Sequence, residues 1–174
     1  MLKMINVVLV FVLCSAFGYI YGESFKRRYM QLQESFRILT LLQNGIIFNN
    51  IPLPECFKEI SEKCDDPIKI LLLNVSEDLN NGVEGNLYSI FKENYKGVEG
   101  DFYLEKEDKG IFKELLKSLG ELGVYGQEKI FKLTLENLKI NIDDAYDKAK
   151  KNTKLYRYIG ICVGAMLSIF LLWC

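Results

Sequence analysis

Two uncharged apolar runs bracket the chain. Met4 to Gly22 carries no charge for 19 residues, and the segment from Tyr158 to Cys174 is equally uncharged. Counted from Leu155, the second stretch is about 20 residues, roughly 30 Å as a helix, the thickness of a bilayer's hydrocarbon core. Each run is therefore expected to form a membrane helix. For the first, a cleaved signal peptide competes, because Cys14-Ser15-Ala16 resembles a small-residue cleavage site. A lipobox does not fit, since Leu13 precedes Cys14. The basic residues decide for an anchor. Lys26, Arg27 and Arg28 follow the first run, with only Lys3 on its other side. Lys148, Lys150, Lys151, Lys154 and Arg157 precede the second. By the positive-inside rule both heavier flanks face the cytoplasm, leaving both termini outside.

Between the runs the apolar period is helical. Phe25, Tyr29, Leu32, Phe36 and Leu39 recur at spacings of four and three, a heptad seam. Asn49-Asn50-Ile51-Pro52 ends it. Pro54 opens a short helix to about Cys64, with Phe57 and Ile60 inward. Asp66 reads as the N-cap and Pro67 as the first turn of a buried helix from Ile68 to Leu79, which Asn80-Asn81-Gly82 closes. Further helices are expected over Glu84–Tyr95 and Phe102–Leu119, with Lys96 to Gly100 as a loop. From Gln127 to Arg157 there is no glycine or proline, and Phe131, Leu135, Leu138, Ile142, Ala145 and Ala149 form a second seam. No strand-like alternation stands out. The expected fold is all-α: a cytoplasmic bundle of about six helices, residues 23–157, between transmembrane helices at 1–22 and 158–174.

Counting outward from the membrane pairs the two seams antiparallel. Tyr29 then lies near Ala149, Phe36 near Ala145 or Ile142, and Leu39 near Leu138, bulky against small. The alternative is that each seam packs on a middle helix. Both apolar runs carry small-xxx-small spacing, Gly18 with Gly22 and Gly160 with Gly164, which suits close helix pairing in lipid.

Charge sharpens the picture. Residues 29–147 hold 13 basic and 22 acidic side chains, while base predominates beside the apolar runs. That distribution fits attraction to anionic headgroups and argues against a nucleic-acid surface. A specific docking site for an acidic partner is the other reading of 148–157. Candidate chemistry is sparse. Histidine is absent, removing the commonest general base and metal ligand. The five cysteines show no CxxC spacing, and Cys56 and Cys64 lie too far apart on one helix to bridge. Gly120 to Lys129 lacks the Gly-Lys-Ser/Thr ending of a phosphate loop and reads as a turn. Asp101 to Gly110 fails as a calcium loop, because Lys106 stands where glycine must turn the chain, and reads as a solvated charged segment. Asp143, Asp144 and Asp147, beside Lys148 and Lys150, read as solvated ion pairs. No nucleophile with a base and an orienting group is found, so neither catalysis nor a cofactor or metal is expected.

Several segments taken in order resemble the stage III sporulation protein AB family of endospore-forming bacteria. They are Met1-Leu2-Lys3 with the first apolar helix, Ile51-Pro52-Leu53-Pro54-Glu55 followed by Cys56, Leu119-Gly120 with Gln127 and Lys129, and Leu155 to Gly160 with Gly164. The resemblance covers nearly the whole chain and rests on order and spacing. It implies a cytoplasmic part similar to the helical domain of the type II secretion and type IV pilus inner-membrane platform protein. It further implies membership of a channel-like complex between mother cell and forespore, and a secretion-type ATPase plus other membrane subunits as partners.

The function expected from this is a non-enzymatic membrane platform that docks the ATPase. Acidic residues far from the membrane flank and exposed by pattern are the candidate contacts: Glu77, Asp78, Glu105, Glu107 and Asp108. A competing reading is a membrane-anchored helical sensor or regulator that binds a small ligand or lipid. An internal cavity with a few convergent polar groups would favour it.

Overall fold

A computed structural model describes residues 2–119 and 124–173. Among these residues every regular element is a helix and there is no strand. Six α-helices follow in order: α1 (Leu2–Gln43), α2 (Leu53–Ser61), α3 (Ile68–Asn80), α4 (Leu87–Val98), α5 (Lys106–Leu119) and α6 (Val124–Trp173). A π-helical segment, Asn44–Phe48, follows α1, and a 3-10 turn, Glu99–Asp101, follows α4. The chain divides into two compact units, one of residues 1–30 with 143–174 and one of residues 31–142.

In the second unit, apolar side chains at helical spacing build the core. Leu32, Leu39 and Leu42 of α1, Phe57 and Ile60 of α2, Leu71, Leu72 and Val75 of α3, Leu115 of α5, and Phe131 and Leu138 of α6 are all buried. Polar side chains fasten the connections. Ser76 Oγ donates to the Pro54 carbonyl at 2.7 Å, tying α3 to α2. Gln31 grips the chain ahead of α5. Its Nε2 donates to the Asp101 carbonyl at 2.8 Å, and its Oε1 accepts from the Tyr103 backbone N–H at 2.7 Å.

The helix starts differ from the sequence expectations where capping decides. At α3 the N-cap is Pro67, not Asp66, and no side-chain cap bond is made. The backbone carbonyls of Asp65 and Pro67 instead accept from Lys69 and Leu71. Helix α4 begins at Leu87 rather than Glu84, because the Asn86 side chain accepts from the Ser89 N–H at 2.8 Å. It also runs through Gly97 to Val98, where a loop was expected. Helix α5 begins at Lys106 rather than Phe102. Asp108 Oδ2 accepts from the Glu105 N–H at 2.8 Å, the back-reaching half of a capping box.

In the first unit, α1 and α6 lie side by side with opposite chain directions. A Cβ on Gly18 would stand 2.7 Å from Gly160 Cα, and one on Gly160 would stand 2.8 Å from Gly18 Cα. A Cβ on Gly22 would meet the Thr153 carbonyl at 2.8 Å, and one on Gly164 would meet Cys14 and Phe11 at 3.2–3.3 Å. Only residues without side chains allow backbones this near. The faces turned away are apolar and exposed, among them Ile5, Val12, Phe17, Ile20, Met166, Ile169 and Phe170. Both helices are long and apolar enough to cross a membrane.

Candidate functional site

The basic flanks of the apolar segments fall into two groups. Lys26, Arg27, Lys150, Lys151 and Lys154 are exposed. The other three meet carboxylates, the Lys148 pair with Asp144 being of the kind expected from the neighbouring charges. Arg28 is buried, its guanidinium 3.5 Å from Asp144, and Lys148 reaches the same carboxylate at 2.8 Å. Hydrogen bonding from Lys148 first, and the Arg28 charge beyond it, holds the Asp144 carboxyl below the ordinary aspartate range despite some desolvation. Arg157 pairs with Glu23 at 2.7 Å and lies over the Tyr19 ring, 4.5 Å from its centre. Between these ion pairs, Tyr156 sits against Tyr21 and Phe25, with ring centres 4.6 and 5.6 Å away. Ion pairs and aromatic rings thus join α1 to α6 next to the apolar segments.

The stem residues are placed as follows. Leu32, Leu39, Leu138 and Ala145 are buried, and Tyr29, Phe36, Ile142 and Ala149 are half-buried. The ring facing Tyr29 belongs to Tyr146, at 5.4 Å, one helical turn from the expected Ala149. Phe36 lines a groove with Leu135, Glu136 and Lys139, about a turn or more before Ile142. The glycine contacts set the axial register, and Gly22 meets Thr153 rather than a residue nearer Tyr158.

Of the acidic contacts expected at the surface, Glu77 and Glu107 are exposed and Asp78 and Glu105 are half-buried, with Asp78 accepting from Asn94 Nδ2 at 2.6 Å. Asp108, expected with them, does not lie at the surface. Its side chain is fully buried and accepts from Asn141 Nδ2 of α6 at 2.7 Å as well as from the Glu105 N–H. The spacing Glu105 to Asp108, cap to third helical position, marks the cap bond in the sequence, while the burial against Asn141 leaves no local mark. The segment 101–110 is accordingly not a uniformly solvated one.

The residues of the shared motifs also have places. Leu53 opens α2, Leu119 closes α5 and is buried, and Gln127 Nε2 donates to the Leu119 carbonyl at 3.1 Å, satisfying one terminal acceptor of that helix. Gly120 to Gly123 lie outside the described residues, while 124–129, read with them as a turn, form the first turns of α6. Cys14, Cys56, Cys64 and Cys162 are free thiols. Burial pushes Cys56 and Cys64 up to about 11, so neither carries the thiolate that reactivity needs. Among the described residues no three His, Cys, Asp or Glu side chains converge so as to hold a metal ion.

The fold recurs in known proteins. Residues 3–172 match the family described as stage III sporulation protein AB. Stage III sporulation protein AB of Bacillus subtilis (strain 168) is 24% identical over 172 residues, covering 99% of this chain and 100% of that protein. A solved structure of stage III sporulation protein AB (SpoIIIAB) superposes with a TM-score of 0.65 at 23% identity, covering 71% of this chain and 96% of that one, and shares the fold.

Proposed function

This chain belongs to the stage III sporulation protein AB family, and from that premise we propose that it is a two-pass membrane platform whose helical domain lies in the cytoplasm of the mother cell. In this reading it is an assembly component, not an enzyme. It docks a secretion-type ATPase and passes that contact to other membrane subunits of a channel-like complex facing the forespore. The observation that carries the reading is continuity of structure. Helices α1 and α6 each continue from an apolar segment into the helical domain without a break. A domain so held has two helical tethers, which suits a scaffold. The exposed Lys26, Arg27, Lys150, Lys151 and Lys154 are suited to anionic headgroups on the cytoplasmic leaflet. Glu77, Asp78, Glu105 and Glu107 are the candidate ATPase contacts; Asp108, being buried, is not one.

Two measurements test the proposal. A reporter that is active only outside the cell, fused to either terminus, is expected to be active at both. The full-length protein, drawn from sporulating membranes, is expected to retain the ATPase, and Glu77→Lys with Glu107→Lys is expected to weaken that retention. Silent reporters at both ends, or no ATPase in the eluate, would overturn it.

A further inference from the structure

The helices of the second unit leave a space between them. Residues of α1 (Ser35 to Leu42), α3, α4 and α5 line a cavity of about 330 Å³. Well-packed interiors hold few voids larger than a water molecule. Ligand sites occupy about 300–1,000 Å³ and combine apolar walls with a few polar groups. The depth of this one is hydrocarbon: Leu39, Leu42, Phe57, Leu71, Leu72 and Leu116 are buried and line it.

Its rim is basic. Among the described residues Lys92, Lys96, Lys109 and Lys113 line the cavity, with Glu99 as the one carboxylate. This reverses the sign of the surrounding chain, where acids outnumber bases. Lys96 is engaged by Glu93 and Lys109 by Glu99, each at 2.7 Å. Lys92 and Lys113 make no ion pair among the described residues. A third observation points the same way. The Tyr95 hydroxyl, on a lining residue, is buried close to the Lys109 ammonium, which lies 5.3 Å from the ring centre. A buried phenol beside an ammonium group puts a polar donor next to positive charge at the edge of the apolar space, a pair suited to an anionic head.

From this we infer that the cavity binds a single-chain anionic amphiphile. Its acyl chain lies among the leucines of α1 and α3. Its carboxylate or phosphate head accepts from the Tyr95 hydroxyl and from the lysine ammonium groups at the rim. The size argues for one chain, not two: an engineered cavity of about 150 Å³ already holds one benzene, and this one has roughly twice that volume. The spacing Lys92–Lys96 on α4 and Lys109–Lys113 on α5, each four residues and so on one helix face, places the charges in two rows. The inference stands apart from ATPase docking and neither needs nor excludes it.

The test is photolabelling of the full chain in nanodiscs of phosphatidylcholine. Three probes share one diazirine-bearing chain: a fatty acid, a lysophosphatidic acid and the uncharged fatty alcohol. Adducts are then mapped by peptide mass spectrometry. At least one acid is expected to label α3 and α4, in peptides holding Leu71-Leu72 and Tyr95, roughly tenfold above the alcohol, the factor one charge-assisted hydrogen bond supplies. Labelling by the fatty acid alone or by the lysophosphatidic acid alone identifies the head. Lys92→Glu with Lys113→Glu is expected to abolish the excess while leaving adducts in the bilayer segments unchanged. These lysines are exposed, so the variant keeps its fold, and unchanged helical circular dichroism checks this. Leu72→Trp, which fills the cavity, is the second variant and is expected to block both acids. Adducts confined to segments 4–22 and 158–173, or equal labelling by acid and alcohol, would overturn the inference. Cavity labelling that appears only when a protein partner is absent, with no preference for acid over alcohol, would assign the cavity to that partner and overturn it equally.

Discussion

Cys56 occupies the space a side chain on Gly45 would need: a Cβ at Gly45 would stand 2.5 Å from the Cys56 sulfur. Both residues are buried, Gly45 in the π-helical segment after α1 and Cys56 on the inner face of α2. One residue is small because the other is not. Gly45→Ala is therefore expected to destabilise the protein by about 1–3 kcal/mol, the usual cost of overpacking. Cys56→Ala in the same chain is expected to recover much of that loss. Urea unfolding of the two single variants and the double variant measures the coupling, and strict additivity would show that the two sites do not share space.

The contact between α1 and α6 ranks its own glycines. Gly18→Leu, Gly22→Leu and Gly160→Leu each drive a side chain into backbone atoms within 3 Å, whereas a Cβ at Gly164 meets neighbours at 3.2–3.3 Å. The first three are expected to lower the thermal midpoint of the detergent-solubilised protein clearly, and Gly164→Ala only slightly. Circular dichroism melts of the four variants test the order.

Asp108 is a buried anchor. Asp108→Ala removes the acceptor for both the Glu105 N–H and Asn141 Nδ2. Leaving such donors unpaired costs about 1–3 kcal/mol. Asn141→Ala is expected to cost less than the sum of two independent losses when combined with it, because the pair shares one bond. Denaturant midpoints at fixed slope supply the comparison.

The ion pairs beside the apolar segments give a pH dependence of known sign. Asp144 titrates below its ordinary 3.8 in the folded protein, chiefly because Lys148 bonds its ionised form. Its stabilising contribution is thus fully present above the unfolded value and is lost as pH falls through the lower folded value. The side chain is 48% exposed, so the effect is held to no more than about 1 kcal/mol. The difference in melting midpoint between the wild type and Asp144→Asn is expected to be full at neutral pH and to shrink as pH falls below 3.8. Lys148→Gln is expected to remove more of the difference than Arg28→Gln.

The buried thiols are expected to resist alkylation. With Cys56 and Cys64 pushed up to about 11 from 9, the thiolate fraction at pH 8 falls roughly a hundredfold. Iodoacetamide is expected to modify these two at comparable rates only after unfolding. Peptide mapping with and without denaturant reads the contrast.

The order of residues alone determined what depends on local period and length. Uncharged runs at both ends, seams at spacings of three and four, and the absence of alternation specify helices and their inward faces, because helix formation answers to neighbours within a turn or two. Leu119 with Gln127 was visible through family resemblance, and the bond between them supplies its physical sense. Axial register was not visible. Periodicity chooses the face a helix buries but leaves it free to slide along its neighbour, and the tight meeting of Gly18 with Gly160 and Gly22 with Thr153 fixes that position. Nor could the pattern tell that Asp108 lies inside while Glu107 lies outside, since that depends on Asn141, 33 residues onward. The lysine rim around an apolar cavity is likewise a product of tertiary structure. Its charges sit on two helices, and only packing brings those helices around the same space.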